Sequence, residues 1–493
     1  MDPTISGMAL ANSTQICSQG AIPYPIVPGA KILGMTAAHV SNYSTSTSEH
    51  WDALSTELND VNACNITVTY THPGWNDTVN VETWLPLSGW NGRFQVGSGG
   101  GLVTGHVDGL PLRASQGYAV SITDGGHSPD SDTKDWALRG NGSVNQPLLE
   151  DFASLALHEL AGLMLAQRYP DDFDGIMAAA PAINWPTFIT TEYWPQFLMN
   201  QMGVYPESCE FDAIREAAID ACDDFDGVKD KIISAPGLCN FDSSSVVGQP
   251  YDCQGSLQTI TKEAAMLAQQ IWRGPIGPNN SSRWYGLNHE ASLSMLSGAT
   301  CKDQNGVKTC SGLPFEVTAS WLQFYVINDV DFDLTTLSSD QYDALFEESV
   351  SKYQDVIGTA NPDLSGFRTR GGKMITWHGL ADEAIFPNGT SNYYRKVLER
   401  DPAARDFYRY FEAPGVAHCS ATDSSGPYPQ DVLESLIAWV EHGQAPETLK
   451  AELRDPDSQS AVLRRDLCQW PLVARFVGGD STQASSFRCD TRF

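Results

Sequence analysis

Two stretches with helical periodicity meet end to end near residue 161, and that junction constrains the fold more than any other feature of the chain. Leu148-Leu-Glu-Asp-Phe-Ala-Ser-Leu-Ala-Leu-His-Glu-Leu160 can set Phe152, Leu155 and Leu160 on one face. It runs directly into Ala161-Gly-Leu-Met-Leu-Ala-Gln-Arg-Tyr-Pro170, and the apolar segment from Phe173 to Trp185 then supplies a strand. Upstream, Asn65 to Tyr70, Val81 to Leu85, Gly92 to Gly97 and Tyr118 to Thr123 are short alternating runs separated by Gly and Pro, the pattern of strands. A chain that alternates strands with helices builds a parallel sheet in which a strand separates consecutive helices. Here one strand is missing from the order, and a break at or near the Ala161 to Gly162 junction accounts for it.

Further along, an acid and a histidine each follow a strand. Gly372-Lys-Met-Ile-Thr-Trp377 leads into His378-Gly-Leu-Ala-Asp382, and Tyr408-Arg-Tyr-Phe-Glu412 leads into Ala413-Pro-Gly-Val-Ala-His-Cys419. In that order they read as the acid and histidine loops of an α/β-hydrolase, whose serine lies upstream of both. In such a site His418 takes the serine proton and returns it to the leaving alcohol, while Asp382 orients the imidazole and stabilises its cation. The sequence contains no Gly-x-Ser-x-Gly, so the nucleophile is absent. His378 and His158 are weaker candidates, His378 being expected to pack and hydrogen-bond on its strand. The run Gly97-Ser-Gly-Gly-Gly-Leu102 suits an oxyanion hole, with Gly100 or Gly101 offering an N–H, and equally suits a flexible surface loop.

Length and charge narrow the class. A chain of 493 residues has room for a catalytic domain and a substantial insertion, so two domains are expected. The formal charge of -30 argues against nucleic acid and anionic membranes as partners, and no apolar run reaches the length of a spanning helix. Sequons at Asn12, Asn42, Asn65, Asn76, Asn141, Asn279, Asn280 and Asn388 point to secretion and glycosylation, although the opening Met1-Asp-Pro-Thr-Ile-Ser-Gly7 lacks the features of a signal peptide. The cysteines number 11, an odd count for a secreted protein, and Cys419 beside His418 is expected to be the one left over. From about Asn184 to Arg370 the composition turns to Trp, Tyr, Asp and Ser, with Cys209, Cys222, Cys239, Cys253, Cys301 and Cys310 and no clean strand alternation. The expected organisation is a catalytic domain from residues 1–183 and 371–493 around an inserted, disulfide-stapled lid at 184–370.

The phrases Gln167-Arg-Tyr-Pro-Asp-Asp-Phe-Asp-Gly-Ile176, Ala180-Pro-Ala-Ile-Asn-Trp185, Thr376-Trp-His-Gly-Leu-Ala-Asp382, Pro387-Asn-Gly-Thr390 and Gly415-Val-Ala-His-Cys419 together resemble the tannase and feruloyl esterase family of secreted ester hydrolases. The resemblance spans nearly the whole chain. It implies an α/β-hydrolase fold with a large disulfide-rich, calcium-binding lid, and cleavage of feruloyl or galloyl esters by a Ser-Asp-His triad. In that family the serine sits in a Cys-Ser-x-Gly-Gly elbow whose cysteine pairs with the one after the histidine. Asp382, His418 and Cys419 match; the serine and its cysteine match nothing. The departure therefore amounts to one central strand and the nucleophile elbow, about 30 residues on the scale of a βα element.

The resemblance also implies that Cys222-Asp-Asp-Phe-Asp-Gly-Val-Lys-Asp-Lys-Ile232 binds a structural calcium through the carboxylates of Asp223, Asp226 and Asp230 and the carbonyls of Val228 and Ile232. Hard oxygen ligands closely spaced in one turn suit that ion; a solvated acidic turn is the plainer reading of the same residues. The implied disulfides are Cys17 with Cys64, Cys222 with Cys239, Cys301 with Cys310 and Cys468 with Cys489, which leaves Cys209 for Cys253. Trp185, Tyr193 and Trp194 are lid aromatics suited to stack on a phenolic acyl group, or simply to pack. The literal chain is expected to be inactive or impaired as an esterase. The alternative from another class is a secreted, non-catalytic binder of phenolic or cell-wall ligands.

Overall fold

The computed structural model describes the backbone of residues 17–47, 56–97, 99–105, 109–153, 158–304 and 307–491; the side chains of 158–161, 279, 303, 304, 307 and 308 are outside that description. Asn12 and the side chains of His158 and Asn279 therefore lie outside the described residues. The chain divides into two compact units, Met1–Ala161 and Gly162–Phe493, at the junction where the strand order breaks in the sequence. The helix His158–Arg168 runs through that junction.

The first unit is built on a five-stranded sheet: β1 (Lys31–Thr47), β2 (Thr56–Thr71), β3 (Val79–Pro86), β4 (Phe94–Gly97) and β5 (Ala119–Thr123), in the order β1-β2-β3-β5-β4. All neighbours are antiparallel except β4 and β5. Every residue of β5 is buried, Ser121 and Thr123 included, and Val120 and Ile122 pack with Leu110 and Leu112 of the helix Gly109–Ser115. Strand β4 forms one edge, with Phe94 and Val96 exposed. The long strand β1 carries no strong alternation, and sequence periodicity did not expose it.

The second unit holds three parallel strands, β6 (Gly175–Ala179), β7 (Lys373–Gly379) and β8 (Tyr408–Ala413), ordered β8-β7-β6. Leu163 and Ala166 of the helix His158–Arg168 and Tyr393, Tyr394 and Val397 of the helix Pro387–Arg400 bury against Ile176, Met374, Tyr408 and Tyr410. Central β7 is buried from Met374 to Gly379, because both of its faces are covered. The close fit extends to Gly162, where a Cβ would sit 3.1 Å from Ala178 Cβ.

Between β6 and β7 the segment 184–370 is mainly helical, with Ser208–Cys222, Lys262–Arg273 and Ser339–Ile357 as its longest helices. Among the described residues its strands lie in two small hairpins, Pro250–Cys253 with Ser256–Thr259 and Ala299–Gln304 with Val307–Gly312. The five disulfides are Cys17–Cys64, Cys209–Cys253, Cys222–Cys239, Cys301–Cys310 and Cys468–Cys489, and Cys419 is in none of them. Among the described residues no helix is long and apolar enough to cross a membrane.

Candidate active site

Asp382 and His418 emerge from the carboxyl ends of the neighbouring parallel strands β7 and β8, where open α/β sheets place their ligands. The two loops are laced together by backbone: Leu380 N–H donates to Ala413 O at 2.8 Å and Ala381 N–H to Val416 O at 3.0 Å. Gly379 makes this approach sterically possible, because a Cβ there would stand 2.2 Å from Val416 O. Gly415 turns the histidine loop at φ +69°, with no room for a side chain beside Gly426.

Asp382 is fully buried and accepts four hydrogen bonds. Its Oδ2 faces His418 Nδ1 at 2.9 Å and His378 Nε2 at 3.2 Å, while Oδ1 receives Ala384 N–H at 2.9 Å and Ile385 N–H at 2.7 Å. Burial alone would raise its carboxyl; the charge of His418 and the hydrogen bonds from both imidazoles outweigh burial and hold it well below the usual carboxylate range. It is therefore an ionised acceptor at any physiological pH. The Nδ1 proton of His418 points at it, which leaves Nε2 as the basic nitrogen. His418 is partly exposed, and its backbone N–H is fixed by Glu383 Oε2 at 3.1 Å. Burial, then the charge of Asp382, pushes the Glu383 carboxyl up.

His378 is a supporting residue. It is completely buried, its Nε2 faces both Asp382 Oδ2 and Ile385 O (3.1 Å), and its Nδ1 lies 2.8 Å from Thr390 Oγ1. Two acceptors at Nε2 require the proton there. Thr390 belongs to the Pro387-Asn-Gly-Thr phrase, whose role is invisible until the helix Pro387–Arg400 is placed. Sequence reasoning also missed Asn288 and Glu290, a buried pair from the helical segment. Asn288 Nδ2 donates to Leu380 O at 2.9 Å; Glu290 receives Ile233 N–H at 3.2 Å and Ser425 Oγ–H at 3.4 Å, and burial pushes its carboxyl up to about 7. No motif signals them, because their partners are distant in sequence.

Gly100 and Gly101 belong to the first unit. Residues 99–103 form a tight turn: Val103 N–H donates to Gly100 O at 3.0 Å, and a Cβ on Gly99 would meet Val103 O at 2.2 Å. Trp185 and Tyr193 are buried, Trp185 packs on Phe188 and Trp321, and Trp194 stacks with Phe197 and Tyr342. These rings build the core of the helical segment.

In the acidic turn Asp223 and Asp226 are buried and Asp230 is partly buried. Asp226 Oδ2 accepts from Ser234 Oγ at 2.7 Å and lies 3.7 Å from Arg465 Nη1, while Asp230 pairs with Nη2 of the same arginine. Val228 N–H and Ile232 N–H bond back to Asp226 at 3.1 Å and Asp230 at 3.2 Å. Asp223 Oδ2 receives Lys231 N–H at 3.0 Å, but its Oδ1 is buried with no hydrogen-bond partner.

Comparison with known proteins places this geometry. A family model described as tannase and feruloyl esterase matches residues 160–490. A probable feruloyl esterase of Arthroderma benhamiae is 38% identical over 96% of this chain and 93% of its own length, and a tannase of Aspergillus oryzae is 26% identical over 98% and 94%. Tannin acyl hydrolase from Aspergillus niger superposes with a TM-score of 0.83 at 25% identity, covering 95% of this chain and 93% of that one. Feruloyl esterase B from Aspergillus oryzae gives 0.78 at 24%, covering 97% and 100%. With strands, loops and relatives in agreement, the chain belongs to the tannase and feruloyl esterase family and has its α/β-hydrolase type of fold.

Proposed function

We propose that this chain is an aromatic-ester hydrolase by descent that holds the acid and base of a serine esterase without the serine. The observation that carries this reading is the 2.9 Å contact from His418 Nδ1 to a buried, fully hydrogen-bonded Asp382. In an intact relative His418 Nε2 deprotonates the serine and protonates the departing alcohol, and Asp382 keeps the imidazole in the required tautomer. The names of the relatives favour feruloyl or galloyl esters as the substrate class. Here no Cys-Ser-x-Gly-Gly or Gly-x-Ser-x-Gly occurs, and loss of a nucleophile costs on the order of a millionfold in rate. The missing strand and elbow belong at the Ala161 to Gly162 junction. The test combines a fluorophosphonate label with hydrolysis of methyl ferulate and methyl gallate. No labelled serine and no turnover are expected; a specifically labelled serine would refute the reading. Sequencing the native transcript across the Ala161 and Gly162 codons then tells whether a longer, active form is made.

In the same reading, residues 1–183 and 371–493 form the catalytic domain and 184–370 its lid, with one structural calcium held by Asp223, Asp226, Asp230 and the carbonyls of Val228 and Ile232. The donor set fits: Asp223 Oδ1 is a buried acceptor without a partner, and burial pushes the Asp226 carboxyl up to about 6 even with Arg465 beside it. Bound calcium would add positive charge to these carboxylates and fix the turn that follows the helix Ser208–Cys222. Five disulfides favour an extracellular location. Of the sequons, Asn42, Asn76, Asn141, Asn280 and Asn388 are exposed, whereas Asn65 is half-buried with Nδ2 on Glu82 at 2.8 Å.

A further inference from the structure

A second cluster of ligating side chains lies in the first unit and plays no part in the chemistry above. The turn after β2 and the helix Gln146–Asp151 bring together His72, Asp77 and Asp151, with one ligand atom of each within 4.8 Å of the other two. His72 Nδ1 is 2.7 Å from Asp77 Oδ2 and 3.2 Å from Asp151 Oδ1. Asp77 is fully buried at its side chain and fixed by Thr71 Oγ1 and His72 N–H, both at 2.9 Å. The side chain of Asp151 is 2% exposed, and its Oδ2 has no hydrogen-bond partner. Tyr70 and Trp75 flank the imidazole at ring separations of 5.5 and 4.9 Å, and the His72 side chain is partly exposed.

The charges do not balance. Two buried carboxylates share one imidazole nitrogen, and among the described residues no lysine or arginine pairs with either. Asp124 is a further carboxylate rather than a counter-charge, and it accepts from Asn80 N–H, Asn80 Nδ2 and Gly126 N–H. A buried carboxylate is tolerated when it is paired or bound to a metal.

We propose that His72, Asp77 and Asp151 bind a divalent ion of the zinc class. One imidazole nitrogen and two carboxylate oxygens are borderline-hard donors that suit zinc, with a coordination position left for water. Zinc bonds of about 2.0 to 2.2 Å in a tetrahedron put ligand atoms roughly 3.3 Å apart, so the present 2.7 Å separation needs to open by about 0.6 Å and the 3.2 Å one by only about 0.1 Å. The ion takes the place of the Nδ1 proton, which passes to Nε2 or to water. Its effect is a cross-link from the turn after β2 to the helix Gln146–Asp151, two segments far apart in sequence.

The test uses the full chain, stripped with chelator and held in saturating calcium so that the Asp223 turn does not compete. Zinc is then titrated against a chromophoric chelator. The wild type is expected to take up one tight equivalent, and His72→Gln and Asp151→Asn to bind it at least about tenfold more weakly, while His418→Ala binds as the wild type does. Zinc-edge X-ray absorption of the loaded His418→Ala protein should show imidazole and oxygen donors, and it stands even if the other variants misfold. Unchanged affinity in both site variants, no uptake at micromolar zinc, or a donor shell lacking imidazole overturns the proposal and leaves a histidine sharing its proton between two acids.

Discussion

Gly379→Ala tests whether the close approach of the two loops creates the acid–histidine pair. A Cβ at this last residue of β7 would lie 2.2 Å from Val416 O, 2.9 Å from Val416 C and 3.0 Å from Ala417 O, all of them backbone atoms that no rotamer change can move aside. A tolerable carbon–oxygen contact is about 3.3 Å, so the histidine loop must retreat by roughly 1 Å. That retreat stretches the 3.0 Å bond from Ala381 N–H to Val416 O beyond hydrogen-bonding range and carries His418 Nδ1 from 2.9 Å to nearly 4 Å from Asp382. Overpacking costs about 1 to 3 kcal/mol, and each lost hydrogen bond about 1 kcal/mol, for a total of about 3 to 5 kcal/mol. Urea unfolding measures the stability. Low-field proton NMR reads the site directly, because an imidazole N–H bonded to a carboxylate resonates far from other protons and His418→Ala identifies which signal is His418. The expected result is loss of both the His418 signal and the stability. If Gly379→Ala keeps the resonance and unfolds within 1 kcal/mol of the wild type, the steric argument is wrong.

Glu290 should make stability fall as pH rises. Its folded-state carboxyl is raised to about 7, so its favourable contribution is complete below pH 4 and is lost between about pH 4.5 and 7; Glu290→Gln should flatten that slope in denaturation curves taken at pH 5, 6, 7 and 8, and an unchanged slope rules Glu290 out as its source. Chelation of calcium should lower the melting temperature of the wild type but not of Asp223→Asn, since a ligand that binds only the folded state stabilises it by mass action; equal chelator sensitivity in the two proteins would locate the ion elsewhere. Replacing Cys222 and Cys239 together by Ala should destabilise by about 2 to 4 kcal/mol and weaken calcium binding by freeing the end of the helix that leads into the turn; calorimetric titration that finds full affinity would separate the disulfide from the ion.

Strands β2 to β8 and the helices around β6 to β8 were legible in the sequence because period-2 and period-3.6 patterns survive wherever one face meets a core. Strand β1 was not, since it is half-exposed along its length and gives no alternation. In the candidate site, Asp382 and His418 were legible because each stands just past an apolar strand. His378 was expected to be a packed, hydrogen-bonded residue and is one, with Asp382 as its partner. Asn288, Glu290 and Thr390 carried no signal, since each acts through a contact that exists only after segments distant in sequence have packed. The lid aromatics show the converse: a Trp and Tyr cluster read from composition is compatible with a ligand site, and the structure spends Trp185, Tyr193 and Trp194 on packing.

The sequence alone determined the order of the chemical groups, the lack of a serine motif between the first glycine run and the acid loop, the odd cysteine and the break in the alternation of strand and helix. These are properties of covalent order and side-chain chemistry, which no packing can change. Only the tertiary structure decided that Asp382 receives four donors, that Gly379 must lack a side chain, and that His72, Asp77 and Asp151 share one buried locus. Hydrogen-bond satisfaction and charge balance depend on which distant segments exclude water from one another, and that information appears only when the chain is folded.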